Sequence, residues 1–272
     1  MEEYRGREKL RYPDIAVKFI LCWALVCLGF VPVNHDLAVL TMTADSENSG
    51  SEVKAAQVAR EIKPDAENPA KEWESASPVH FDTDWQGQNA DPGLDTEVRV
   101  LWSPTKIYLR FVCHYRELFT YEDSDPSGRR DYLWDRDVTE AFLQPPDSLK
   151  KSSVEAAASE HPENSLKFYN EFEIAPNGMW IDLDILPLGR SDLRSGLTRS
   201  VHLDEKRKIW AAELAIPIKA ITANFDPSVP WRVNFFRVEG KIEPRRYMAW
   251  QPTMTPEPNF HVPEKFGTLR FH

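Results

Sequence analysis

From Val79 onward the chain alternates short strand-forming segments with turns too brief to hold a crossover helix, and this limits the fold more than any other feature. "VHFDTDW", "TEVRVLWS", "KIYLRFVCHY", "DVTEAFLQP", "KFYNEFEIAP", "GMWIDLDIL", "LTRSVHLD", "IWAAELAIP", "WRVNFFRVEG", "RRYMAWQP" and "FGTLRFH" are each rich in β-branched or aromatic residues. The turns "SPT" after Trp102, "PNG" after Ala175 and "DEKR" after Leu203 suit antiparallel hairpins. A parallel sheet needs connections of a dozen residues or more, so it is excluded as the main architecture.

Alternation assigns the faces. In "KIYLRFVCHY", Ile107, Leu109, Phe111, Cys113 and Tyr115 share one side, and in "IWAAELAIP" Trp210, Ala212, Leu214 and Ile216 do. One face of each strand is therefore core, and the expected fold class is all-β: an antiparallel, jelly-roll-like β-sandwich. Twenty-one Pro against 11 Gly, with 9 Trp, 8 Tyr and 14 Phe, agree with many short strands. Two stretches interrupt the pattern. Asp147–Ser165 is polar and Ala-rich and reads as a surface excursion, and Pro217 is placed to start a short helix that Pro227 and Pro230 follow.

The N-terminus stands apart. Ile15–Val33 is almost wholly apolar and follows Arg5, Arg7, Lys9 and Arg11, the pattern of an export signal or a single membrane anchor. This divides the chain into residues 1–44 as signal or anchor, 45–72 as a polar linker with a short helix-capable run, and 73–272 as one β-sandwich domain. An extracytoplasmic location follows, with the membrane touched only through that anchor. Cys22 and Cys27 lie in the apolar run, so Cys113 has no partner for an internal disulfide and reads as a small buried hydrophobe.

A formal charge of −10 without a Lys/Arg-rich run argues against nucleic acid. No phosphate-binding glycine loop, paired-glycine dinucleotide turn, nucleophile elbow or His-Glu-x-x-His helix is present. The sharper signal is aromatic. Trp134 precedes "DRDVTEAFL" beside Asp135, Asp137 and Glu140; Trp250 lies in "RRYMAWQPT" beside Arg245, Arg246 and Gln251. A pyranose packs its C–H face on an indole and offers hydroxyls to donors and acceptors around the rim. Against this stands strand packing, the commoner use of Trp in a sandwich, which is the reading given to Trp85, Trp102, Trp180, Trp210 and Trp231. Asp182 and Asp184 share one face of "WIDLDIL", the pattern of a half-solvated strand. A calcium site there stays open, although the spacing does not require one.

The order "LWDRDVTEAFLQP", "YNEFEIAPNGMWIDL", "IWAAELAIP", "WRVNFFRVEG", "YMAWQP" and "PNFHVPEKFGTLRF" resembles the family 9 carbohydrate-binding modules and their exported bacterial relatives, over roughly Trp73–His272. The wider group includes DOMON-type domains that bind sugar or haem. The resemblance implies a sugar clamped between Trp134 and Trp250 with Glu140 among the polar contacts, and Asn170, Asn234 and Arg237 on neighbouring strands. It also implies a structural Ca²⁺ as the one candidate cofactor, without placing its ligands. The ending "TMTPEPNFHVPEKFG" is longer than a minimal module needs and is positioned to cover or reshape the cleft.

The expectation is a non-catalytic protein that binds the end of an oligo- or polysaccharide outside the cytoplasm. Two alternatives belong to other classes: a haem-binding electron-transfer domain using Met248 or Met254 with His261, and a glycoside-active enzyme working through two carboxylates. Oligomeric state has no handle in the sequence.

Overall fold

A strand at Glu52–Gln57 (β1), inside the stretch expected to be a linker, joins the two layers of the sandwich. The computed structural model describes residues 51–146, 148, 168–187 and 189–272. The apolar N-terminal run and nearly all of the Asp147–Ser165 excursion lie outside the described residues. The remaining strands are β2 (Val79–Phe81), β3 (Thr96–Trp102), β4 (Lys106–His114), β5 (Val138–Gln144), β6 (Tyr169–Ile174), β7 (Trp180–Leu186), β8 (Gly189–Asp192), β9 (Thr198–Asp204), β10 (Ile209–Pro217), β11 (Trp231–Glu239), β12 (Arg246–Ala249) and β13 (Gly267–Phe271). One helical turn, α1 (Ile218–Ile221), follows Pro217 as its sequence predicts.

The order along the sheet is β8-β7-β6-β5-β11-β13-β1-β3-β4-β10-β9, with β12 on β11 and β2 on β3. Both β1 pairings are parallel, Glu52–Ala55 with Thr268–Phe271 of β13 and Ala56–Gln57 with Leu101–Trp102 of β3; the other strand pairs are antiparallel as expected. The β1 sequence "EVKAAQ" favours helix by propensity, but Val53 and Ala55 are fully buried between the layers. Tertiary packing overrides that weak local preference.

The main core lies between the two layers. The alternating residues of β4 (Ile107, Leu109, Phe111, Cys113) and of β10 (Trp210, Ala212, Leu214, Ile216) enter it from one layer, in register with each other, while Leu143, Phe172, Val233 and Phe235 enter from the other. Cys113 is a free buried thiol, pushed up to about 12 by burial. The outer faces are covered too. Val58, Ile62 and Trp73 pack on Leu101, Tyr108 and Ala215 of β3, β4 and β10. Phe260 and Phe266 pack with Val138, Phe142, Tyr169, Leu183, Phe236 and Val238 of β5, β6, β7 and β11.

Burial on both sides changes how β7 is used. Asp182 is not half-solvated but fully buried, and its carboxylate is an anchor: it accepts from the amides of Ser195 at 2.7 Å and Arg194 at 3.3 Å, and from Arg129 Nη1 at 3.3 Å. Asp184 accepts from Asn170 Nδ2 at 2.6 Å.

Candidate functional site

The outer face of the β5-β6-β7-β11 layer holds a cavity of about 280 Å³, between the packed aromatic cluster and the chain that crosses it. Period-two alternation sends Val138, Glu140 and Phe142 of β5 to this face, with Tyr169, Glu171 and Glu173 of β6, Leu183 of β7 and Val238 of β11. Glu140 and Glu171 line the cavity with Leu183 and Val238. Around them stand Trp134, Arg190, Arg245, Tyr247, Phe260 and His261.

Each wall residue is held by a specific partner. Trp134 sits in a 3-10 turn, Leu133–Asp135, where Arg190 lies 4.7 Å over its ring and Tyr132 packs at 5.2 Å. Arg245 donates from Nη1 to the Trp134 carbonyl at 2.8 Å and from Nε to Glu243 at 2.9 Å, and its guanidinium lies 5.0 Å from the Tyr247 ring centre. The Tyr247 hydroxyl donates to the same Glu243 carboxylate. Hydrogen bonds from Tyr247 and Arg245 hold Glu243 down at about 2, whereas burial and the Glu243 contact push Tyr247 up to about 12. Phe260 stacks on Phe236 with centroids 4.2 Å apart, and His261 stacks on Phe142 while its Nδ1 shares a 2.6 Å hydrogen bond with the Tyr169 hydroxyl.

The carboxyl cluster on the floor has unusual electrostatics. Glu140 and Glu173 are directly opposite on β5 and β6, and Glu171 lies two residues along the same face. Burial drives both Glu140 and Glu173 far above the usual carboxylate range, and mutual repulsion with Glu171 adds to it; Arg245 opposes the shift at Glu140 and Arg190 at Glu173. Glu171 Oε2 and both oxygens of Glu173 have no hydrogen-bond partner. Asp137, by contrast, accepts from the amides of Phe119 at 2.9 Å and Gly240 at 2.6 Å and holds those loops together.

Of the residues singled out in the sequence, Trp134 and Glu140 meet at this cavity. Trp250 does not join them: it is 8% exposed in the inter-layer core, 5.6 Å from Phe235. Its indole lies where a β-carbon on Gly267 would approach to 2.7 Å, so glycine at that position makes room for it. Asn170 lies two residues from Phe172 on β6 and so shares its face towards the inter-layer core. Arg237 shares the face of Phe235, two residues before it, and donates across that core to the Leu94 carbonyl at 2.9 Å and Thr96 Oγ1 at 3.2 Å. Asn234 shares the cleft face but holds Gln251, donating to its carbonyl at 2.9 Å and accepting from its amide at 3.0 Å. The residues of the haem reading are separated: Met248 is buried in the inter-layer core, Met254 is exposed, and His261 lines the cleft. No group of three or more His, Cys, Asp or Glu among the described residues is arranged to hold a metal ion.

Sequence reasoning missed Glu171, Arg190, Tyr247 and Phe260, and it named Arg245 only as a neighbour of Trp250. The available signal for Glu171 was its alternation with Asn170 and Phe172 in "YNEFEI", which places Glu171 and Glu173 on the side shared with Tyr169.

The fold and site together define a β-sandwich whose outer face carries an aromatic-walled, carboxyl-floored cleft. Comparison with known proteins shows what this arrangement is similar to. The family model described as "Carbohydrate-binding family 9" matches residues 194–271. A protein of inferred carbohydrate-binding function from Bacteroides uniformis shares the fold with a TM-score of 0.61 at 16% identity, over 82% of this chain and 99% of that one. A family 9 carbohydrate-binding module from Caldicellulosiruptor kristjanssonii, solved with cellotriose, superposes with a TM-score of 0.52 at 13% identity, over 81% and 93%. The same module solved with glucose gives 0.51. A curated relative from Arthroderma benhamiae, named "Extracellular protein", is 23% identical over 211 residues, 71% of this chain and 85% of its own length. The chain is thus similar to the family 9 carbohydrate-binding modules, in sequence over residues 194–271 and in fold over most of its length.

Proposed function

We propose that the protein binds the end of a carbohydrate chain, without turnover, outside the cytoplasm. The observation that carries this is the cavity between Trp134 and the Tyr247–Phe260 pair, floored by carboxyl groups that can hydrogen-bond hydroxyls. Its volume of about 280 Å³ falls just below the usual range of ligand pockets, roughly 300–1,000 Å³, which suits one ring rather than the middle of a polymer. Trp134 supplies the stacking surface. In this reading Pro258–His261 serve as the far wall in place of Trp250, the partner that the family resemblance implied. The apolar N-terminal run and the relative named as extracellular support export.

Titration calorimetry of the full chain against glucose, cellotriose and a panel of other oligosaccharides tests the reading, with Trp134→Ala alongside and reducing-sugar release assayed in parallel. Binding that disappears in Trp134→Ala while the fold persists supports it. Absence of heat with every glycan overturns it, and release of reducing sugar replaces it with the two-carboxylate enzyme.

A further inference from the structure

The charges around the cleft do not cancel, and the imbalance points to a class of sugar. Both arginines of the wall are already neutralised by acids outside the cavity lining: Arg190 donates to Asp131 at 2.8 Å and Arg245 to Glu243 at 2.9 Å. His261 is committed to the Tyr169 hydroxyl. Beneath them Glu140, Glu171 and Glu173 share one buried patch on two adjacent strands, at 3%, 4% and 0% exposure. Among the described residues no cationic side chain makes a hydrogen bond or ion pair with any of the three. Glu171 lines the cavity, and its Oε2 and both oxygens of Glu173 behind it lack a well-formed hydrogen bond, the close Glu171–Glu173 contact serving only to raise Glu173 further.

Leaving buried carboxyl oxygens without partners costs stability, and a ligand that supplies donors relieves it. A neutral sugar brings hydroxyl donors but no charge. A primary ammonium brings three N–H donors and a full positive charge in one compact group, and charge-assisted hydrogen bonds to carboxylates are about twice as strong as neutral ones. We propose, building on the carbohydrate reading, that the cleft selects a sugar unit bearing a free amino group, whose ammonium sits on Glu140 and Glu171 while its ring packs on Trp134.

Binding changes the protonation of the patch. The groups facing it are Tyr169, Arg190, Arg245 and His261, and the empty cleft keeps Glu140 and Glu173 protonated well above the usual carboxylate range. An arriving ammonium favours the ionised form, so an amino sugar releases a proton to the buffer that glucose does not.

The test is calorimetry of the full chain near neutral pH with glucosamine, N-acetylglucosamine, glucose and ethanolamine, in two buffers of different ionisation enthalpy. The expected result is that glucosamine binds at least about tenfold more tightly than glucose and N-acetylglucosamine, the scale of one charge-assisted hydrogen bond. Its heat, unlike that of glucose, changes with the buffer. Glu171→Gln, checked for folding by its melting curve, narrows the ratio between glucosamine and glucose. Equal affinity for glucosamine and glucose, with no buffer dependence, overturns the amino-sugar inference and leaves the carbohydrate reading standing. Ethanolamine binding as tightly as glucosamine overturns the sugar half of the inference. No heat with any of the sugars overturns both.

Discussion

The Nη1 atom of Arg245 donates to the main-chain carbonyl of Trp134 at 2.8 Å, across 111 residues of sequence. That bond ties the connection from β11 to β12 to the turn entering β5, so the two walls of the cleft are set against each other by one guanidinium. The same side chain is braced by Glu243 and lies over Tyr247, which fixes its direction.

Removing this brace therefore separates binding from folding. Arg245→Ala is expected to cost about 1 kcal/mol of stability, the typical worth of a hydrogen bond in a folded protein. Sugar affinity should fall by more than that, because Trp134 loses its tether as the wall loses a side chain. Denaturant melts and titrations on the same preparation measure both. A loss of stability with unchanged affinity would show that Arg245 is structural only.

Trp134 and Trp250 should respond in opposite ways. Trp134 is half-exposed and lines the cavity, so Trp134→Ala abolishes sugar binding with a stability change under about 1 kcal/mol, as for most surface substitutions. Trp250 fills the inter-layer core, and Trp250→Ala leaves a void that costs about 3–5 kcal/mol. Melting curves rank the two, and the titration of Trp134→Ala tests its place at the ligand.

The strand pattern was legible because alternation survives wherever one face is packed. Every segment marked from Val79 onward became a strand, and the β4 and β10 faces matched residue for residue. β1 was not legible: "EVKAAQ" carries helix-forming residues whose small size matters only once β3 and β13 flank them. The site was half legible. Trp134 and Glu140 lie within one short stretch of sequence, so local reading found them. Glu171, Tyr247 and Phe260 arrive from other strands, and Glu171 and Glu173 looked like an ordinary solvated face until the C-terminal segment was seen to cover it. Trp250 misled because residue type and polar neighbours say nothing about which side of the chain faces the core.

Gly267 marks the place where β13 comes closest to its surroundings. A β-carbon there would lie 2.5 Å from the Ser51 carbonyl and 2.7 Å from the Trp250 ring, and the first of these is backbone that cannot move aside cheaply. Gly267→Ala is expected to destabilise by about 1–3 kcal/mol through overpacking, visible as a lower denaturation midpoint. A neutral or stabilising result would mean that the β1–β13 junction has slack to absorb a methyl group.

The buried glutamates also set how stability depends on pH. Glu140 and Glu173 hold their protons in the folded chain above the ordinary carboxylate value of 4.5, while the unfolded chain releases them near that value. In this window the folded state binds more protons, so stability is full below the ordinary value and falls as pH rises through it. Burial shifts Asp137, Glu213 and Glu239 in the same direction. Glu243 works in the opposite sense: its contribution is present above the ordinary value and is lost as pH falls toward about 2, weakened by its exposure to solvent. From these groups stability should thus peak near the ordinary carboxylate value of 4.5 and decline towards neutrality. Glu173→Gln keeps the shape of the side chain but has no proton to lose, so its melting temperature should fall less steeply from mildly acid to mildly alkaline pH. Parallel slopes for the two proteins would mean that Glu173 does not titrate in this window, and the descent would then have to come from the other buried carboxyls.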